Sequence, residues 1–172
     1  MFADTIDALR HDPVESLARP DLVSRVEDLR VLEGAIASYR ARLVRAIDGL
    51  DDGGLDGRGV LRSTGRVSGK TAHRSASVAH GLAEMPNTAS ALAAGRITAE
   101  HATALVRAAA EIDPESVDAE LVDVAESGPA DIASKRIREW VTERTKKNPK
   151  LTLDEQHRAR TFKRWDDDTT GL

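Results

Sequence analysis

The segment from Gly65 to Thr71, with the sequence GRVSGKT, has the residue types that come closest to phosphate chemistry. A phosphate-binding loop needs four residues between its two glycines, so that successive backbone N–H groups surround the phosphates. Only three residues separate Gly65 from Gly69, and no buried strand precedes them. The spacing therefore argues against a nucleotide site, and Ser68 is better explained as the N-cap of a helix.

Metal-dependent and nucleophilic chemistry are not indicated by any residue pattern. The five histidines form no His-Glu-x-x-His set and no other close ligand pair; they are His11, His73, His80, His101 and His157. Cysteine is absent, which excludes disulfides and thiolate metal sites. We therefore expect no catalytic centre, no metal site, no cofactor and no small-molecule substrate within this chain.

Positive charge is concentrated in two segments of an otherwise acidic chain. The net charge is −4, but residues 58–74 carry 5 basic and no acidic side chains, and residues 135–164 carry 11 basic and 4 acidic ones. Clustered Lys and Arg side chains attract nucleic-acid phosphates. A solvated helix face explains the same pattern equally well. The residues that would contact DNA are Arg58, Arg62, Arg66, Lys70 and Arg74, and Lys135, Arg136, Arg138, Arg144, Lys146 and Lys147.

The segment Ser90–Ala102 is similar to a helix-turn-helix, a motif whose second helix enters the major groove of DNA. Gly95 would form its turn and Thr98 would cap its second helix. The exposed residues that would then face DNA are Arg96, Thr98, Glu100, His101, Thr103 and Arg107. We favour an ordinary pair of antiparallel helices, because the second helix carries little positive charge.

The same region carries a family resemblance. The stretch Gly65–Arg74, the pair Met85-Pro86 and the run Ala91–Ala102, which includes Ala-Gly-Arg-Ile-Thr and His-Ala, resemble the actinobacterial domain of unknown function 222. The resemblance covers about Leu29 to the end of the chain. It implies a helical domain ahead of an HNH endonuclease module, whose histidines would bind a divalent metal. This sequence has no His-Asn-His region, so the resemblance carries over an association with DNA but no nuclease activity.

Helices must position all of these residues. Hydrophobic residues make up 40% of the chain but aromatic ones only 3%, so the core must consist of Leu, Val, Ile and Ala, which suits close helix packing. Short loops predict an all-α helical bundle. Glycines at 53–65 predict an irregular stretch. A first helix is predicted to begin at Asp12, its N-cap, with Pro13 and Glu15 in its first turn. The other predicted helices span about 21–50, 68–85, 87–94 (capped by Asn87), 98–112, 114–128 and 130–147, the last burying Ile132, Ile137, Trp140 and Val141.

The first long helix has apolar residues that recur on average every 3.5 residues from Leu22 to Leu50. This period is typical of a heptad seam that packs against another helix. We expect the helix to pack within the bundle of its own chain, and the alternative is a homodimer formed through the seam. The seam residues are Leu29, Leu32, Ile36, Tyr39, Leu43 and Ile47.

The C-terminal segment changes character. Residues 160–165 alternate like a strand and residues 166–171 resemble a turn, so an incomplete β-hairpin is expected there, left by a truncation. The chain divides into an N-terminal helical arm with a coiled-coil-like helix (1–50), a compact multi-helix domain (51–150) and this hairpin or tail (151–172). No apolar run approaches the roughly 20 residues that span a bilayer. We therefore expect no membrane association and a cytoplasmic location.

These observations favour a non-catalytic, helical DNA-positioning or targeting module of an HNH-endonuclease-like protein. Two alternatives stay open on the sequence alone. One is a helical dimerisation or protein-interaction module, and the other is a truncated, non-functional remnant.

Overall fold

The structure, a computed structural model, describes residues 2–147. The expected hairpin at 151–172 and the side chain of Lys147 lie outside the described residues. Within residues 2–147 the chain forms nine α-helices, one 3-10 turn (Val14–Ser16) and no strand, so the all-α prediction is confirmed. The helices are α1 (Ala3–His11), α2 (Arg19–Asp48), α3 (Gly57–Ser63), α4 (Gly69–Gly81), α5 (Pro86–Ala93), α6 (Ala99–Glu111), α7 (Pro114–Glu120), α8 (Val122–Glu126) and α9 (Ala130–Lys147).

Side-chain caps explain where four of these nine helices begin, namely α3, α4, α6 and α7. The hydroxyl of Ser68 accepts a hydrogen bond from the Thr71 N–H (3.1 Å), and the carboxylate of Asp113 accepts one from the Ser116 N–H (2.7 Å). The Thr98 cap of α6 is also present, so the predicted starts of α4, α6 and α7 are confirmed. The expectation of an irregular stretch at 53–65 is wrong, because Asp56 caps α3 through the Gly59 N–H (2.6 Å).

Several boundaries differ from the prediction. The helix expected to begin at Asp12 is only the 3-10 turn Val14–Ser16, and α4 ends at Gly81 rather than near Met85. Helix α5 begins at Pro86 rather than after an Asn87 cap, since a carboxylate from another helix binds its free N–H groups (described below). The single helix expected over 114–128 is divided at Leu121, where φ is −112°. The division lets the adjacent side chains of Leu121 and Val122 both point into the core, whereas neighbours on a regular helix diverge.

Helix α6 lies at the centre of the bundle and packs against α4, α5, α7 and α9. Helix α2 packs against α3, α4 and α5. The side chains between the helices are mostly small or aliphatic, with Met85, Leu92, Ile97, Leu105 and Val117 among the most deeply buried. In α9, Ile137 and Val141 are buried and Trp140 is half-buried as expected. Ile132 is 45% exposed, because it lies on the opposite side of the helix.

The seam of α2 is only partly covered inside this chain. The buried residues of α2 are Gly34, Ala41 and Val44. Leu29, Ile36 and Leu43 are between 41% and 46% exposed. The other three seam residues, Leu32, Tyr39 and Ile47, are half-buried. Helix α2 therefore packs within the bundle as expected, but its seam is only partly covered there. Small residues on another side of the same helix make the intramolecular contacts, because they allow α4 and α5 to come close.

The closest of these contacts joins Gly34 of α2 to Gly95, which follows α5. A Cβ atom added to Gly34 would meet the carbonyl oxygen of Leu92 and lie 2.9 Å from the Cα of Gly95. A Cβ atom added to Gly95 would lie 2.5 Å from the Cα of Val31. Gly95 also has a positive φ of 67°, as expected for the residue after a helix C-cap. The two backbones are therefore in direct contact.

We expect Gly95→Ala to lower the free energy of unfolding by about 2–4 kcal/mol, because the new methyl group combines overpacking with a left-handed backbone. Gly34→Ala should lower it by about 1–2 kcal/mol, since the higher helix propensity of alanine offsets part of the clash. Urea unfolding followed by circular dichroism measures both. Gly69→Ala is the control, because its Cβ would enter open space. Equal stability of all three variants would contradict this account.

Candidate nucleic-acid interface

The first basic segment forms an exposed surface on α3 and α4. Arg58 and Arg62 are one turn apart on α3, and Lys70 and Arg74 are one turn apart on α4, so each pair shares a helix face. Arg66 lies in the connection between the two helices. All five side chains are exposed. We call this set, Arg58, Arg62, Arg66, Lys70 and Arg74, the α3–α4 basic surface.

Contacts with α2 hold this surface in place. The Asp48 carboxylate of α2 accepts a hydrogen bond from the Gly57 N–H at the start of α3 (2.6 Å) and contacts Nε2 of His80 near the end of α4 (2.8 Å). A Cβ atom on Gly57 would lie 2.8 Å from Cγ1 of Val44, so α3 lies directly against α2. Helices α3 and α4 also pack against each other. One carboxylate therefore ties both basic helices to α2.

The segment that forms the α3–α4 basic surface carries basic side chains and no acidic ones. No acidic residue occurs from Gly57 to Ala83. Among residues 2–147, none of the five basic side chains makes an ion pair with a carboxylate. The nearest carboxylates before this segment, Asp52 and Asp56, already accept backbone hydrogen bonds from Gly54 and Gly59. The charges of the surface are thus available to an external polyanion.

Arg40 extends the surface, and sequence reasoning missed it. Arg40 of α2 and Arg74 of α4 line the same small groove of about 90 Å³. Arg40 is exposed. No local sequence signal relates the two residues, because only the packing of α2 on α4 brings them to one groove.

The second basic segment is divided among several directions around α9. Arg144 donates a hydrogen bond to Glu120 (2.6 Å) and stacks over the Trp140 ring, 4.4 Å from its centroid. Arg136 donates to the Ser127 hydroxyl, and Arg138 donates to the Ser134 carbonyl. Lys135 and Lys146 lie on the outer face together with Glu139 and Glu143. The described part of this segment therefore forms no continuous basic surface.

The helix-turn-helix-like segment does not present a free second helix. Helix α6 is enclosed by four neighbours, and a groove of about 500 Å³ between α6 and α9 is lined by both acidic and basic side chains. Arg96 pairs with Glu126 (2.8 Å), and Arg107 lies 3.7 Å from Glu111. Thr98 is half-buried at the cap.

The expectation that His101 is exposed is wrong, since the residue is only 5% exposed. Nδ1 of His101 accepts a hydrogen bond from the Thr98 N–H (3.2 Å) and contacts the Thr98 hydroxyl, completing a capping box. Nε2 donates to the Gly128 carbonyl (3.0 Å). Both ring nitrogens are occupied, so His101 joins α6 to the start of α9 rather than reading a base.

The N-terminus of α5 holds a buried carboxylate that the sequence did not reveal. Asp118 of α7 is 5% exposed and accepts hydrogen bonds from the N–H of Asn87 (2.9 Å) and from the N–H and hydroxyl of Thr88 (both 2.7 Å). These are N–H groups that a helix start leaves without partners. Three residues of the segment that carries the family resemblance therefore have structural roles: Met85 is buried in the core, Gly95 allows close backbone contact and His101 joins two helices. Asp118 stabilises the helix that begins in the same segment.

Two further searches cover only the described part of the chain. Residues 2–147 contain no group of three or more His, Cys, Asp or Glu side chains that could hold a metal ion. Every helix in this range is too short or too polar to cross a membrane.

Comparison with known proteins gives one match. A sequence profile of the family described as "Domain of unknown function (DUF222)" matches residues 23–165, which is most of the chain. No curated protein and no solved structure matches the chain.

Asp118→Ala should lower the free energy of unfolding by about 2–4 kcal/mol, because it leaves the buried polar groups of Asn87 and Thr88 without an acceptor. Chemical denaturation measures the change. Asp51→Ala, at an exposed acidic position, is the matched control and should change stability by less than about 0.5 kcal/mol. A loss no larger than that of the control would show that Asp118 does not stabilise α5.

Arg144→Ala should lower the free energy of unfolding by about 1–2 kcal/mol, since it removes a partly exposed ion pair and a cation–π contact. Lys146→Ala on the same helix should be nearly neutral, because its side chain is exposed on the outer face. Thermal and urea unfolding of the two variants show whether Arg144 stabilises the fold or, like Lys146, only lies on its surface. Equal stabilities would mean that Arg144 is as available as Lys146.

Proposed function

The chain belongs to the DUF222 family, whose description assigns no activity, and from that premise we propose that it is a non-catalytic helical module that positions DNA. The contacts would be made by the α3–α4 basic surface with the phosphate backbone. The proposal includes the setting that the resemblance implies, an HNH-endonuclease-like protein acting on DNA in the cytoplasm.

One observation carries the proposal: five exposed basic side chains lie on two packed helices and the connection between them, in a stretch of 27 residues (57–83) that contains no acidic side chain. Phosphates are bound mainly through such charges, because each neutralised phosphate releases condensed counterions. The second basic segment contributes less, since its members are paired, stacked or interspersed with glutamates.

The expected binding is independent of DNA sequence. Base readout needs a helix or strand that enters a groove with free side chains. Helix α6 is enclosed and its His101 ring is occupied, which favours contacts with the backbone alone. Phosphodiester cleavage, in this proposal, belongs to a nuclease module and not to residues 2–147, where no metal-ligand group is present.

The test is a titration of the full chain with a labelled duplex at 50–200 mM salt. Five phosphate contacts predict a slope of log affinity against log salt of about −4.5, which is a loss of roughly 500-fold across that range. Two duplexes of unrelated sequence should bind alike. Absence of binding at 50 mM salt would refute the proposal.

A pair of charge-reversal variants locates the contact. Arg62→Glu combined with Lys70→Glu should weaken binding at 50 mM salt at least tenfold and reduce the slope by about 2. Lys135→Glu combined with Lys146→Glu changes the net charge equally but lies on α9, and should weaken binding no more than about threefold. Equal losses in both variants would mean that net charge, and not the α3–α4 basic surface, governs the affinity.

A further inference from the structure

Helix α2 carries an exposed row of large apolar side chains at every seventh position. Leu22, Leu29, Ile36 and Leu43 are 40%, 41%, 46% and 44% exposed, and Leu50, just beyond the helix, is 63% exposed. Seven residues are two turns of a slightly underwound helix, so the row runs straight along one side of α2. The small residues that pack into the bundle lie on a different side. The row therefore faces solvent for the whole length of the helix.

The first part of α2 is an arm outside the bundle. Every residue from 19 to 30 is exposed. The two residues that flank α1 contact α2: the Phe2 and Tyr39 rings are 5.9 Å apart, and Asp12 pairs with Arg25 (2.9 Å). Monomeric proteins rarely leave so many apolar side chains contiguous and exposed.

We propose that a second copy of this chain covers the row, with the two α2 helices antiparallel and the two-fold axis near Ile36. The axis places Ile36 opposite Ile36 of the second copy. It places Leu29 opposite the second copy's Leu43, and Leu22 opposite its Leu50. The exposed arm of each copy is thereby packed against the bundle-bound half of the other. The inference is independent of the proposed function, because the apolar row contains none of the five residues of the α3–α4 basic surface.

Charges on the two sides of the row select the second copy and its orientation. Glu33 and Arg40 lie on one side of the row, and Asp28 and Arg42 lie on the other; all four are exposed. In the antiparallel arrangement Glu33 comes beside the second copy's Arg40, and Asp28 beside its Arg42. A parallel pair would bring Asp28 beside Glu33 of the other helix, which is repulsive. Asp28 also lies 3.7 Å from Arg25 of its own chain.

Each of these interfacial pairs would lie at the rim of the contact and contribute little affinity, so their main effect is on orientation. The apolar row supplies the attraction. Another protein that presents an apolar helix, or a further segment of this chain, would also cover the row, and the experiment separates these occupants from a second copy.

Sedimentation equilibrium of the full chain over a wide concentration range tests the association. The wild type should reach twice the chain mass of 18.6 kDa. Ile36→Lys places two ammonium groups at the axis and should raise the dissociation constant at least 100-fold, with an unchanged circular dichroism spectrum. Ile132→Lys, at an equally exposed apolar position on α9, should dimerise like the wild type. A wild type that stays monomeric at the highest concentration, or equal effects of both variants, would overturn the proposal.

The absence of native cysteine makes the orientation directly measurable by cross-linking. A mixture of Leu29→Cys and Leu43→Cys chains should form a disulfide-linked heterodimer under mild oxidation. Leu29→Cys alone should not link to itself, because 14 residues, about 21 Å of helix, separate positions 29 and 43. Efficient self-linking of Leu29→Cys would establish a parallel pair and overturn the antiparallel register.

Discussion

The backbone contact between Gly34 and Gly95 is the constraint on which the arrangement of the helices depends. Gly95 lies in the turn that joins α5 to α6, so its contact with α2 fixes the position of both helices at once. Helix α6 then organises α4, α7 and α9 around itself. Close approach of this kind leaves room only for small side chains, which bury little apolar area. Hydrogen bonds between helices supplement that burial: the Arg45 guanidinium donates to the Ala79 carbonyl, and the Thr88 N–H of α5 donates to the Asp118 carboxylate.

Local signals made the helices predictable, whereas contacts distant in sequence did not. Ser68, Thr98 and Asp113 cap helices through hydrogen bonds to residues three positions away, so their spacing is visible in the sequence. Asp118 caps α5 from about 30 residues further along the chain, and no local pattern indicates it. Helix α3 was missed because its glycines resemble a loop, although Gly57 is required by the contact with Val44.

The candidate sites, like the helices, were predictable where they depend on local sequence and not where they depend on contacts distant in sequence. The absence of carboxylates around Arg62 and Lys70 is a property of composition, so the sequence indicated the basic surface on α3 and α4. The pairing of Arg144 with Glu120 depends on the fold bringing the end of α7 within reach of α9, which composition does not show. Periodicity identified the seam of α2 but did not distinguish a seam buried in the chain from one left open. Gly34 and Ala41, on another side of the helix, make that distinction.

Helix α2 is continuous from the exposed arm into the bundle, with Pro20 in its first turn and no proline after it. At 1.5 Å per residue, the arm extends about 18 Å from Gly34 to Leu22. An uninterrupted helix of this length is stiff. The contact between Gly34 and Gly95 therefore sets the direction in which the arm leaves the bundle. Whatever binds the arm is therefore held at a fixed distance and heading from α3 and α4. In a two-fold pair, the stiffness of α2 would fix the distance between the two helical bundles.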